Sequence, residues 1–283
     1  MEDAFSAIGN EIRVNILRVL GDAGEALSFS EIRSRVEIRD SGQFNYHLNE
    51  LRDRYIRQTD SGYILTRAGL RVTSAIEASA YAAGEVVGPE SAATDCPICG
   101  ADRSVVYEDS AVRLHCSANS NHKWLSPLPP GATEERNLDE LVELGTTVNR
   151  NYGDLAASGT CPECFGQMER WMRSDEEVSE RFGGHEYVFQ AMCEDCGFPF
   201  GGSVGSLVTR HPAVVSAYHK HGVNIRERTI LPHEFEPPVV VSEDPLRLRV
   251  DVETPRADDD RVLVSLTIDD KADIVNVTEN TEI

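Results

Sequence analysis

The sequence predicts an α+β protein built from several small modules instead of one large core. Three observations predict it. Helical and two-residue periodicities alternate through the first 80 residues. All seven cysteines fall between residues 96 and 196, in metal-ligand spacing. The last forty residues carry runs of strict alternation that read as half-buried strands. At 283 residues the chain is long enough for two or three domains. The expected division is 1–85, 86–130, 131–158, 159–202 and 203–283.

In the first segment, Phe5 and Ile8 mark a short helix. Ile12, Ile16, Leu17 and Leu20 then mark the inner face of a second, closed by Gly21 and Gly24. Ser28-Phe-Ser-Glu31 is a capping box, with Leu27 and Ile32 placed as its hydrophobic staple. Asp40 is positioned to cap the next helix, in which Phe44, Leu48, Leu51 and Tyr55 share one narrow stripe. Its other side carries Gly42, Tyr46 and Asn49, with Gln43 and Asn45 near the leading end. Two apolar-aromatic segments around Asp60-Ser61-Gly62 then signal a hairpin, and Thr66 can cap a helix running to about Tyr81. A hairpin directly after the third helix makes the arrangement a winged helix-turn-helix.

Arg13-x-x-Ile16-Leu17, His47-Leu48-x-x-Leu51 and Gly62-Tyr63-x-Leu65-Thr66, in that order, resemble the ArsR-type winged helix-turn-helix regulators over residues 1–80. The resemblance implies sequence-specific binding of double-stranded DNA, commonly as a homodimer. It places Ser41, Gln43, Asn45, Tyr46 and His47 toward bases or phosphates, and Arg57 and Arg67 beside the backbone. Metal-sensing members carry cysteines within the helix-turn-helix, whereas the first cysteine here is Cys96. Metal-triggered release of that kind is therefore not implied.

Gly84 to Thr94 reads as a linker. Cys96-Pro-Ile-Cys99 precedes Cys116 and His122, with His115 as the alternative fourth ligand. His122 has the better reach, because His115 points away from Cys116 on a strand. Cys161-Pro-Glu-Cys164 and Cys193-Glu-Asp-Cys196 form the stronger signal, two Cys-x-x-Cys pairs that read as a zinc ribbon. The 28 residues between them exceed the usual span of about 15–20, so a long second hairpin is expected, with Tyr187 to Met192 entering Cys193 as a strand. Both sets fill four positions. The expectation is two structural Zn2+ sites in zinc-ribbon-like modules, not catalytic metal, thiol redox or disulfide chemistry. Leu138, Leu141, Val142 and Leu144 predict a helix to about Tyr152 between the modules.

Beyond residue 203, Pro212 to His221 reads as a helix with Pro at its first turn and Gly222 past its end. His211, His219 and His221 lie close in sequence, but no cysteine supports a third metal site there. Leu246–Glu253 and Val262–Ile268 read as strands joined by the acidic turn Arg256–Asp260, with Ile274–Val277 a third. This small α+β module holds no Gly-rich phosphate loop and no nucleophile paired with a base. A non-enzymatic protein is expected.

Charge bounds the partners. Forty-eight acidic residues against 27 basic ones leave −21, and only Lys123, Lys220 and Lys271 are lysine. This composition resembles proteins of salt-in halophiles. Residues 1–75 hold ten arginines and eleven carboxylates, so nearly all the excess acid lies elsewhere, which singles out the N-terminal segment as the DNA-facing one. No apolar run is long enough to cross a membrane, and Met1-Glu-Asp-Ala is unlike a signal peptide, so a cytoplasmic protein is expected. The leading expectation is a cytoplasmic DNA-binding transcriptional regulator. The second is a zinc-ribbon adaptor that docks a protein of the transcription machinery.

Overall fold

The computed structural model describes residues 6–80, 82, 84–174, 186–225, 235, 237–253 and 261–282. The chain divides into two compact units. The first is Met1–Gly84 with Pro129–Glu134, and the second is Glu85–Leu128 with Glu135–Ile283. Among the described residues the protein is a mixed α+β structure with four small antiparallel sheets.

In the first unit, helix α1 (Glu11–Ala23) starts at Asn10, whose side chain accepts from the N–H groups of Ile12 and Arg13. It stops at Gly24, which takes the left-handed conformation at φ 63°. Helix α2 (Phe29–Arg35) begins with the expected capping box of Ser28 and Glu31. Helix α3 (Ser41–Leu51) begins at Asp40. Strands β1 (Ile56–Thr59) and β2 (Gly62–Leu65) pair in register, Ile56 opposite Leu65 and Thr59 opposite Gly62. Helix α4 (Arg67–Glu77) is capped by Thr66. It ends before the expected limit at Tyr81, which lies outside the described residues, as does Phe5. Ile16, Leu17, Leu20, Ile32, Phe44, Leu48, Leu51 and Ile56 form a core at 0–3 % exposure. The sequence periodicity survives as packing because α1, α2 and α3 each turn their apolar residues into this one cluster.

The second unit holds the other three sheets. Strands β3 (Val87–Ser91), β4 (Arg103–Glu108), β5 (Ala111–Cys116) and β6 (Lys123–Pro127) form one, in that order. The expected linker is thus an edge strand. Every residue of β3 is exposed, and Pro89 sits where an edge strand tolerates a missing N–H. Helix α5 (Leu138–Ala157) follows, longer than predicted, with a capping box of Asn137 and Glu140. Strands β7 (Met168–Arg173), β8 (Val188–Cys193) and β9 (Pro199–Ser203) make the next sheet.

Helix α5 packs on both of these sheets. A Cβ at Gly145 would come within 2.8–3.1 Å of Ser126, Trp124 and Val112, and one at Gly153 would lie 3.3 Å from Phe200. Glycine at these two places lets the helix axis approach each sheet closely.

Helices α6 (Val204–Val208) and α7 (Pro212–Lys220) lead to strands β10 (Val239–Glu243), β11 (Leu246–Glu253), β12 (Arg261–Asp269) and β13 (Ile274–Glu282), paired in that order. Helix α6 and strand β10 were not expected, and β13 extends well past Val277. The turn expected at Arg256–Asp260 lies outside the described residues. Alternation in β11 buries Leu248, Val250 and Val252 against Val264, Leu266 and Ile268 of β12.

Leu48 is fully buried, so Leu48→Ala should cost the first unit about 2–5 kcal/mol. Urea unfolding in concentrated KCl will read this loss, and a cost below 1 kcal/mol would mean that α3 is not anchored through its apolar stripe.

Candidate metal centres and the exposed face of the third helix

Helix α3 is held at its leading end by Asp40, whose Oδ1 accepts from Gly42 N at 2.7 Å and Gln43 N at 3.0 Å. The N–H groups of Gln43 and then Gly42 hold the Asp40 carboxyl below the usual carboxylate range. Phe44 meets Phe29 edge to face at 4.8 Å. With Phe44, Leu48 and Leu51 turned inward, Ser41, Gln43, Asn45 and Tyr46 face solvent, Tyr46 at 58 % exposure. Arg57 on β1 and Arg67 at the start of α4 are also exposed.

His47 departs from this group. It is 8 % exposed and lies with the buried residues of α3. Its Nδ1 has no protein partner among the described residues. Burial lowers its pKa, Arg13 adds to the effect, and Glu50 opposes it.

The first cysteine cluster is assembled by three segments. The Cys96–Gly100 turn closes with Gly100 N donating to Cys96 O at 2.7 Å and Cys96 N to Ala101 O at 2.7 Å. Gly100 takes φ 72°, which relieves the turn. Cys116 is the last residue of β5, opposite Arg103, and His122 immediately precedes β6. Cys99 Sγ lies 3.5 Å from Cys116 Sγ, and His122 Nδ1 lies 3.6 Å from Cys96 Sγ. All four ligand atoms fall within 4.8 Å of one another. His122 therefore completes the group. Strand alternation turns His115 outward and exposed beside the buried Cys116.

The second cluster repeats this plan. The Cys161–Cys164 turn precedes β7, Cys193 ends β8 opposite Met168, and Cys196 lies in the turn before β9. Cys164 and Cys193 are 3.4 Å apart, Cys161 and Cys196 3.7 Å. Gly197 takes φ 73° after its pair, and Phe165 takes the same left-handed region, φ 63°, after the other. Strands β5 and β8 share one pattern of buried and exposed positions.

These separations are too long for a disulfide, whose sulfurs lie about 2.0 Å apart. They suit a tetrahedral ion, since bonds of about 2.3 Å to each sulfur place the sulfurs about 3.8 Å apart. The thiols also differ in acidity. Backbone N–H donation from Cys196 leads in drawing Cys193 down to about 7. The Gly166 N–H favours the Cys164 thiolate, but the adjoining Cys193 and Cys196 push Cys164 up to about 12. Burial raises Cys116, yet the N–H groups of Ala118 and Asn119 outweigh it and leave that thiol lowered. Each cluster favours one anion and resists the next, so a full set of thiolates needs a cation among them. Both groups can hold a metal ion. The histidines His211, His219 and His221 form no such group among the described residues. His211 instead caps α7, accepting from Ala213 N at its Nδ1.

Asn119 was not among the expected site residues. Its Oδ1 accepts from Asn121 N at 2.9 Å, and its Nδ2 stands 3.2 Å from His122 Nε2. The sequence signal was the Asn-x-Asn-His spacing, a side-chain turn ending on a ligand.

A family model described as domain of unknown function (DUF7351) matches residues 93–274, and a second, domain of unknown function (DUF7347), matches residues 1–76. The longer match spans both cysteine clusters, α5 and most of the C-terminal sheet. No curated protein matches the sequence.

Two outcomes follow for these residues. Elemental analysis should find two metal equivalents per chain, and fewer than one would remove the metal reading. The unfolded pKa of histidine is about 6.5 and the folded value of His47 lies below it. The stability due to neutral His47 is thus present above about pH 6.5 and lost as pH falls toward the folded value. The stability difference between the unaltered protein and His47→Gln should shrink on acidification below about pH 6.5, and parallel pH profiles would refute it.

Proposed function

Since the chain belongs to the family of the domain of unknown function DUF7351, whose description carries no activity, we propose a function from its own residues: a sequence-specific DNA-binding transcriptional regulator. Residues 1–85 act as a winged helix-turn-helix, with α3 as the recognition helix and the β1–β2 hairpin as the wing. The observation that carries this reading is the sidedness of α3. Its apolar stripe is fully buried, while Ser41, Gln43, Asn45 and Tyr46 stand exposed together at its leading end. An amide side chain can pair with an adenine edge in the major groove, and an exposed ring can rest on a thymine methyl. Arg57 and Arg67 are exposed and available to phosphates. The buried His47 supports the helix from behind and makes no base contact.

In this reading the two cysteine clusters hold structural Zn2+ in ribbon-like modules. Their four-ligand sets leave no position for substrate water. The protein acts in the cytoplasm as a homodimer, in concentrated salt that its acidic surface suits. At about 1 M salt the Debye length is about 3 Å, and phosphate contacts lose much of their share of affinity. Contacts to base edges must then carry the recognition.

The chain's net charge of −21 favours a second reading, in which the same helix docks a protein of the transcription machinery. Random-site selection on duplex DNA in multimolar KCl separates the two. Enrichment of a motif is expected, and selection that yields none would sink the DNA reading. Tyr46→Ala should weaken binding to the selected site by about 1–3 kcal/mol with an unchanged melting temperature. Equal losses of affinity and stability would instead mark Tyr46 as structural.

A further inference from the structure

The two clusters differ in what stands behind their ligands. In the second, all four ligands are sulfur, and Gly166 N donates to Cys164 Sγ at 3.4 Å. In the first, one ligand is an imidazole, and an imidazole that binds a metal through Nδ1 must carry its single proton on Nε2. Metal-bound histidines give that N–H to an acceptor, which fixes the ring and raises its basicity. Here the group facing His122 Nε2 at 3.2 Å is the Nδ2 of Asn119, which is itself a donor.

The amide is not free to turn round. Its Oδ1 accepts from the backbone N–H of Asn121 at 2.9 Å, and a backbone N–H can only donate, so Nδ2 is left toward the ring. A metal held at Nδ1, the ring atom 3.6 Å from Cys96 Sγ, leaves an N–H at Nε2, and that N–H meets the amide N–H of Asn119 where an acceptor is needed. The filled centre therefore lacks the hydrogen bond that would hold its histidine in place.

We propose that Asn119 makes the Cys96–Cys99–Cys116–His122 centre the exchangeable one of the pair, by presenting a donor to the histidine that completes it. The first module then loads and unloads metal over a range in which the second stays filled. This rests on the reading of both clusters as metal centres.

The full chain, loaded with zinc in multimolar KCl, is mixed with a coloured chelator and release is timed. Two phases of one equivalent each are expected. In Asn119→Asp one carboxylate oxygen can keep the Asn121 N–H while the other accepts from Nε2. The faster phase should slow by about tenfold, and the slower phase should not change. At such salt the Debye length is about 3 Å or less, so a general effect of the added charge is screened while a direct hydrogen bond is retained. Release in a single phase, or a variant that leaves the fast phase unaltered or slows both, would overturn the proposal. A loaded stoichiometry of one overturns the pairing of an exchangeable with a retained centre, and fewer than one removes the metal reading itself; both are recognised before any release is timed.

Discussion

Sulfurs held 3.4–3.7 Å apart without a bond between them are the constraint on which the second unit depends. Each cluster ties a turn, the end of one strand and the start of the next to a common point. The sheets that carry the clusters have only four and three short antiparallel strands. Four ligands closed on one ion would supply folding free energy to a sheet of this size. The unequal acidity within each cluster follows from the same crowding. Backbone N–H groups select one sulfur as the anion, and its neighbours resist joining it.

Helix α5 turns two such modules into one body. Its two glycines face different sheets, Gly145 the first and Gly153 the second. Leu138 and Leu141 are buried near its start, and Ala156 and Ala157 at its end. The shared burial pattern of β5 and β8, with a cysteine at the last position of each, makes the modules variations on one plan. The difference between them lies in the fourth ligand. A histidine brings a second ring nitrogen whose hydrogen bond must suit the metal, and a cysteine does not.

In the first unit the same division of labour falls to hydrogen bonds at helix ends. Asn10, Ser28, Asp40 and Thr66 each satisfy N–H groups that a helix leaves open. The apolar stripes of the helices meet in one core, and what remains of α3 is a polar and aromatic edge facing solvent. Ten arginines against eleven carboxylates give residues 1–75 a near-neutral charge that sets them apart from the acidic remainder of the chain.

Local chemistry was legible in the sequence. The caps at Ser28, Asp40 and Thr66, the hairpin at Asp60-Ser61-Gly62, the stripe of α3 and both ligand sets are short-range patterns whose spacing carries their geometry. What depends on a distant partner was not. Val87–Ser91 looks like a linker until β4 lies beside it, because an exposed edge strand with a proline has no alternation to reveal it. His47 shares the polar end of a helix with residues that face solvent, and only packing puts its ring inside. Which sheets α5 would touch is not encoded in its amphipathic stripe, since a stripe specifies that a face is covered and not by what. The role of Asn119 depends on which of its two amide atoms meets the ring, and that was decided by a backbone N–H two residues on.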